Sequence, residues 1–524
     1  MGYMQIPKMM DLYKLKQESS LTKDRVTLFS LVFVAVVIRM RNLDSPLTGS
    51  YTFRTTQTAW GIRSVARGEL SPFRIETPVL GPPWRIPFEF PLYQMISGLL
   101  SRLSGMSVEV SGRLVSLTFF ILAGLVLLKI SRMFTSTQAS TVIFAIYLFN
   151  SHNLEYGSSV LIEYCAVFFS LLSFYMALRF CKSLLKKHLW LFFAFGSVSA
   201  LVKITTSTIW VLFGACIALL IFRIRNRNAV ILGCVAFATH IPAVLWTMWA
   251  DHQKSKTFYT EWLTSEKLRT WNFGTLEQRF SYTDWHRTFD NIFFPSVLGS
   301  AFFAIVLLIV SISFTKDRRA TAAFMSLLLI GPLMYTNLYF VHDYYWTAVL
   351  PALLLAVAPA FETFRDFAQS FSQSKENGDV TLGVLVALAL IISSWFSTYG
   401  ARHFDVFVKP GSLSYNGDEY QLAVEEIQKL TPKEAKIIVI GNNWDPRLLY
   451  FSDRRGLMIL DDWDPMKIVA QSEFGSQYKF IYAFPPGVLE PDSIAERFSG
   501  VEIHQIGSGL YQIENIKIEE TVGP

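Results

Sequence analysis

Between Asn42 and Leu92 the chain gathers Arg54, Gln57, Arg63, Arg74, Arg85 and Glu89, and an apolar run precedes this stretch. Glu89 lies among apolar neighbours in Gly81-Pro82-Pro83-Trp84-Arg85-Ile86-Pro87-Phe88-Glu89-Phe90-Pro91, a stretch stiffened by four prolines. Desolvation there is expected to raise its carboxyl pKa and to suit it to general-base work; the plainer alternative is a structural carboxylate paired with an Arg of the same loop. Tyr51 to Arg67 alternates polar and apolar residues at helical spacing, so it is expected to lie along a membrane interface, with Arg54, Gln57 and Thr58 on one face. Lipid headgroups alone could account for those arginines. Glu163 stands inside the apolar context Val160-Leu-Ile-Glu-Tyr164, and a charge at membrane depth is costly enough to be a functional candidate by default. Lys203 ends another apolar run, and His342-Asp343-Tyr344-Tyr345-Trp346 follows a third. Lys203 has a plain alternative in snorkelling, and the aromatic run in an interfacial belt. Taken together, two acids facing Arg, Lys and His suit a lipid phosphate as leaving group and an acceptor that must lose a proton.

What positions these residues is a membrane bundle. The 524 residues are 52% hydrophobic, 15% aromatic and 17% charged. Apolar runs of about 20 residues recur, as bilayer crossing requires. We expect about eleven spans: residues 21–41, 110–130, 136–151, 159–180, 188–204, 205–223, 228–249, 294–314, 320–338, 344–362 and 381–399. The clusters Lys129/Arg132, Lys182/Lys186/Lys187, Arg223/Arg225/Arg227 and Lys316/Arg318/Arg319 alternate consistently, which puts them on the cytoplasmic side. The Asn42–Leu92 loop, the Asn150–Ser158 turn, the Lys203 turn, the Asp251–Phe293 loop, the Val341–Trp346 turn and the C-terminal tail then share the outer face. Residues 364–379 read as a cytoplasmic loop. The expected location is the inner (plasma) membrane, in contact with its lipids.

The expected domains are a cytoplasmic tail over residues 1–20, a transmembrane domain over 21–399 and a small extracytoplasmic α/β domain over 400–524. Alternation at Lys436–Ile440, a helical stretch Glu419–Leu430, and short β-like runs at Gly456–Leu460, Lys479–Ala483 and Leu510–Ile513 support the last. No small-residue cleavage site follows the first span, so that span is expected to remain as an anchor. The formal charge of +6 reads as topology rather than nucleic-acid binding. Cys165, Cys181, Cys216 and Cys234 have no metal-type spacing. With no Gly-rich phosphate loop, and no soluble cytoplasmic stretch large enough for a nucleotide sugar, any donor is expected to arrive already in the membrane.

Several short motifs in order carry a resemblance: Phe53-Arg54-x-x-Gln57-Thr58-Ala59, Pro82-Pro83-Trp84, Glu89-Phe90-Pro91-Leu92-Tyr93, Leu161-Ile162-Glu163 and His342-Asp343-Tyr344-Tyr345. The membrane part resembles the polytopic GT-C-type glycosyltransferases that use polyprenyl-phosphate sugars, the superfamily of protein O-mannosyltransferases and lipid A aminoarabinose transferases. The resemblance implies an α-helical polytopic GT-C-like fold, with interfacial helices in the first outer loop. It also implies a polyprenyl-phosphate-linked monosaccharide donor and a glycan, lipid or protein acceptor. Glu163 matches the acid that opens the fourth span, and Arg54 matches a loop arginine. The chain departs from the pattern at Tyr51, where the aminoarabinose transferases place an acid, and at Glu89-Phe90-Pro91, where they have Glu-Lys-Pro. Glu89 is therefore the first choice for the base, Glu163 the second and Asp44 the third. Arg54, Lys203 and His342 would hold the donor phosphate. Gln57, Arg74, Trp84, Arg85, Asp343, Tyr344 and Tyr345 would border the substrates. The expected reaction is a single inverting displacement at the anomeric carbon. The resemblance implies catalysis without a cofactor or metal, while the sequence leaves a divalent ion at Glu89, Glu163 and Asp343 open. A lipid-linked-sugar flippase, a glycan polymerase or ligase, and a non-catalytic scaffold are the competing readings.

Overall fold

A computed structural model of the chain describes residues 6–47, 51–371, 378–397, 418–465, 477–488, 491–498 and 501–516. It is a multi-pass helical membrane protein. Among the described residues four helices are long and apolar enough to cross a bilayer: Val108–Ser131, Glu163–Ser183, Ile204–Phe222 and Arg227–Lys254. Ser107 starts the first of them by accepting the Val110 N–H on its hydroxyl, and Glu109 and Lys129 sit at the ends that favour their charges. Glu163–Ser183 packs against Val108–Ser131 and Lys186–Val202.

Several expected spans are shorter or broken. The one placed at 294–314 is a pair of helices, Tyr282–Leu298 and Ala301–Phe314, bent by 75°. Gly299 takes a left-handed φ of +86°, which only glycine adopts without strain, and Ser300 caps the next helix by accepting the Phe303 N–H. The span expected from residue 344 begins instead at Leu350, because Asp343–Ala348 winds as a 3-10 turn. That helix runs on to Phe371, through the first half of the stretch read as a loop; residues 372–377 of it lie outside the described residues. Its Ala, Phe, Arg and Gln content is compatible with helix, and charge alone does not end one. The expected boundary at residue 400 also lies outside the described residues.

The first long connection carries two helices. Thr52–Ala66 forms where expected, yet it is buried along most of its length instead of lying on a surface. Leu92–Ser104, which the spacing of polar breaks left without an assignment, crosses over it. Gly98 permits that crossing: a Cβ there would stand 2.4 Å from Val65 Cβ and 2.7 Å from the Ile62 carbonyl oxygen.

Toward the C-terminus five strands form one sheet in the order β2-β1-β3-β5-β4, with β1 Lys436–Ile440, β2 Arg455–Met458, β3 Phe480–Ala483, β4 Val501–Gln505 and β5 Leu510–Ile516. The first three are parallel, and β5 and β4 run antiparallel to their neighbours. β1 is buried over four of its five residues, as its unbroken Ile-Ile-Val-Ile run requires of a central parallel strand. The free edge of β2 is covered by the first long connection: the Gly456 and Met458 N–H groups donate to Pro78 and Val79 carbonyls at 3.1 and 2.9 Å. Arg63 lies 3.8 Å over the Tyr450 ring and pairs with Asp453, and Arg67 and Arg455 pair with Asp453 and Glu76 at 2.7 Å each. The sheet is thereby fixed to the same connection that carries Arg54 and Glu89.

Candidate active site

Two acid–cation pairs stand at one end of the bundle. Lys203 follows the Lys186–Val202 helix as its extended C-cap, and its Nζ donates to Glu163 Oε2 at 2.5 Å. Both side chains are almost wholly buried, 4% and 2% exposed. Glu163 opens its helix, and its other oxygen, Oε1, is buried with no hydrogen-bond partner among the described residues. In the second pair Arg54 Nη2 donates to Glu89 Oε1 at 2.7 Å, with side chains 19% and 27% exposed. Arg54 also donates to Gln57. Burial opposes charge on Glu89, but the Arg54 guanidinium, helped by a backbone hydrogen bond and by Lys203, holds its carboxyl below the usual value. The expected upward shift is thus reversed, because a charge–charge contact at hydrogen-bond distance outweighs desolvation.

The two pairs are electrostatic neighbours, Arg54 of Glu163 and Glu89 of Lys203, and aromatic rings stand beside both. Lys203 Nζ lies 3.7 Å from the Tyr345 ring centre and 5.3 Å from that of Tyr344. His342 stacks on Tyr344 with centroids 5.1 Å apart, and Tyr51 meets Tyr344 edge-on at 5.0 Å. Burial, with Arg54 and Lys203 nearby, pushes the His342 imidazole down to about 4, so it is neutral near pH 7, and its buried Nδ1 has no partner among the described residues. His342 therefore reaches the cluster as a neutral hydrogen-bonding ring rather than as the expected cation. Asp343 accepts from the Tyr156 hydroxyl at 2.5 Å, and its N–H donates to the Tyr51 hydroxyl at 3.2 Å. Burial raises its carboxyl to about 7, against those hydrogen bonds.

On another side the Arg54–Glu89 pair lines a cleft of about 620 Å³, open mouth included, whose walls also hold Gln57, Phe73, Gln94, Trp246 and Trp249. Arg85 stands exposed among its lining residues. Lys254, buried behind Phe88, is held by Asp251 at 3.0 Å and donates to the Leu263 carbonyl at 2.7 Å.

The structure thus brings Arg54, Gln57, Glu89, Glu163, Lys203, His342, Tyr344 and Tyr345 together, with Asp343 behind the aromatic rings. It leaves out three expected residues. Asp44 is exposed, in the turn whose carbonyls Arg113 gathers by donating to Leu43, Ser45 and Pro46. Arg74 is exposed and absent from the cleft lining. Trp84 is buried with Lys436 and Arg455 over its ring at 5.9 and 6.0 Å, so it belongs to the contact with the sheet. Among the described residues no three His, Cys, Asp or Glu side chains converge as a metal-binding group; Glu89 and Glu163 each already hold a cationic side chain. Sequence reasoning missed Tyr51, Tyr156, Gln94, Trp246 and Trp249. The Trp246-x-x-Trp249 spacing near the polar end of its helix was the available signal for the last two.

No protein-family model matches the chain, and no curated protein does. Solved structures resemble it over nearly its whole length. ArnT from Cupriavidus metallidurans, bound to undecaprenyl phosphate, aligns with a TM-score of 0.58 at 12% identity, over 95% of this chain and 99% of that one. The archaeal oligosaccharyltransferase AglB from Archaeoglobus fulgidus, in complex with an inhibitory peptide and a dolichol-phosphate, gives 0.56 at 11% identity, over 95% and 75%. The arabinofuranosyltransferase AftD from Mycobacteria gives 0.52 at 12% identity, over 94% of this chain and 40% of that one. These are GT-C-type proteins, and the chain has their fold, as its loop and span motifs lead one to expect.

Proposed function

We propose that the protein is a membrane glycosyltransferase that moves a monosaccharide from a polyprenyl-phosphate donor to an acceptor hydroxyl on the extracytoplasmic side of the inner membrane. The observation that carries this reading is the placing of a part-exposed acid pair, Arg54–Glu89, beside a buried one, Lys203–Glu163, with Tyr344 and Tyr345 near both. The reading follows from what each group can do. Lys203 and Arg54 supply positive charge where a departing lipid phosphate would gather its own. A phosphate oxygen entering the cluster competes with Glu163 for Lys203, and His342 offers a hydrogen bond without adding charge. Glu89, ionised at neutral pH, takes the proton of the acceptor hydroxyl as its oxygen bonds to the anomeric carbon. The bond from that carbon to the phosphate oxygen breaks in the same step, and the electron pair leaves with the polyprenyl phosphate. A single displacement of this kind inverts the anomeric centre. Glu163 keeps Lys203 charged and oriented in a site that excludes water.

The test is mass spectrometry of the purified protein with a panel of polyprenyl-phosphate monosaccharides and a membrane extract. The reading expects free polyprenyl phosphate to appear together with a glycosylated product. Passage of intact lipid-linked sugar across a bilayer, with no cleavage, would favour a flippase instead.

A further inference from the structure

The cleft beside Glu89 is distinct from the cation cluster: Arg54 and Glu89 line it, whereas Lys203, Glu163, Tyr344 and Tyr345 do not. The ion pair therefore belongs both to the wall of the cleft and to the edge of the buried cluster. Resting on the glycosyl-transfer reading above, we propose that this cleft is the acceptor subsite and that the acceptor is a carbohydrate.

The chemistry of the walls carries this. Trp246 and Trp249 stand with ring centroids 4.7 Å apart, and Phe73 meets Trp249 edge-on at 5.0 Å. The Trp246 indole N–H is already committed to the Phe88 carbonyl at 3.0 Å, so that residue offers the cleft only its apolar ring. Two other lining residues, Gln57 and Gln94, carry amides left unsatisfied. Gln57 is 7% exposed and its Nε2 has no hydrogen-bond partner among the described residues; Gln94 Oε1 is buried in the same condition. A buried amide left unpaired costs about 1–3 kcal/mol. The ligand that relieves both must accept from Gln57 and donate to Gln94. A hydroxyl does either, a phosphate ester without protons only accepts, and an acyl chain does neither. Arg54 is neutralised by Glu89, and the other cation of the lining, Arg85, stands exposed to solvent, where its pull on an anion is screened. A sugar ring unites the two demands, with an apolar C–H face for the tryptophans and several hydroxyls for the amides and for Glu89.

The test uses the full chain in lipid nanodiscs and saturation-transfer NMR. The probes are common monosaccharides and their disaccharides, a Ser/Thr-containing peptide and phosphoethanolamine. The expected result is binding of at least one saccharide, weakened about 5–10-fold by Trp249→Ala and by Gln94→Leu and largely restored in Trp249→Phe. Polyprenyl-phosphate binding should be unchanged in all three variants, which shows that they are folded. Saccharides that fail to bind a protein still holding polyprenyl phosphate would overturn the proposal, as would saccharide binding indifferent to both substitutions. Binding of the peptide or of phosphoethanolamine that is lost in the same variants would overturn it in favour of a protein or lipid acceptor. Saccharide binding through these residues without turnover of any polyprenyl-phosphate sugar would overturn the transfer reading while leaving the cleft a carbohydrate site.

Discussion

Glu89 and Glu163 each meet one cationic side chain at hydrogen-bond distance, yet their surroundings divide them. Glu89 is borne on a proline-stiffened connection, retains about a quarter of its side-chain exposure and opens onto a cleft. Glu163 is sealed at the start of a helix, with one oxygen on Lys203 and the other unpaired. Access, rather than acidity, separates a group that can exchange protons with an incoming substrate from one that can only hold a neighbour in place. An exposed pair can lose a partner to solvent at small cost, whereas a buried pair cannot.

The largest effect that would sharpen this contrast is expected from Lys203→Met. It leaves the Glu163 carboxylate buried without its cation, which should lower unfolding stability by about 3–5 kcal/mol and abolish polyprenyl-phosphate binding. Thermal unfolding and native mass spectrometry read the two losses, and adding Glu163→Gln should recover the stability but not the binding. Glu89→Gln comes next: turnover should drop by about 10²–10⁴-fold, with the melting temperature lowered only slightly by the loss of one part-exposed ion pair. If the melting temperature fell as far as in Lys203→Met, Glu89 would be chiefly a structural partner of Arg54 and the contrast would fail. Arg54→Lys should be milder, because an ammonium keeps the charge but loses the fork that reaches Glu89 and Gln57 together. We expect a loss of about 10-fold in turnover, measured at saturating donor. The smallest effect concerns pH. The Glu89 carboxyl is held below its ordinary range, so its stabilisation is complete above the unfolded-state value of about 4.3 and fades only as pH falls through the lower folded value. Asp343, raised to about 7, works in the opposite sense: its contribution is complete below about 3.9 and is lost as pH rises through 7. Stability followed from pH 4 to 8 should therefore decline between about 4 and 7 and level off above that in the wild type, and lose this decline in Asp343→Asn, while Glu89→Gln leaves it intact.

Much of this site was legible because its parts violate their surroundings. A Glu inside Val-Leu-Ile-Glu-Tyr, or a Lys at the end of an apolar helix, is costly in lipid and draws attention for that reason. The strand Lys436–Ile440 was read from alternation, and its run of Ile-Ile-Val-Ile is in fact unbroken because a central parallel strand is covered on both faces. What the pattern could not supply was pairing. A pairing of Glu89 with an Arg of its own loop stood as the plainer alternative, but nothing local singles out Arg54, 35 positions away, and without that contact the carboxyl pKa was expected to move the wrong way. Trp84 looked like a sugar platform, but a tryptophan among prolines is equally suited to a docking contact, and here it meets Lys436 and Arg455. Trp246 and Trp249 drew no reading, since tryptophan near a membrane surface is ordinary. The bend at Gly299 and the 3-10 turn before Leu350 escaped because hydropathy averages over windows longer than either feature.

The central claim is that the exposed pair moves the proton and the buried pair holds the phosphate. It is tested most directly by measuring polyprenyl-phosphate affinity and the single-turnover transfer rate separately in Glu89→Gln and Lys203→Met. The account predicts that Glu89→Gln binds the lipid as the wild type does while its transfer rate collapses, and that Lys203→Met fails to bind it. Transfer at the wild-type rate in Glu89→Gln, or unweakened lipid binding in Lys203→Met, would contradict it.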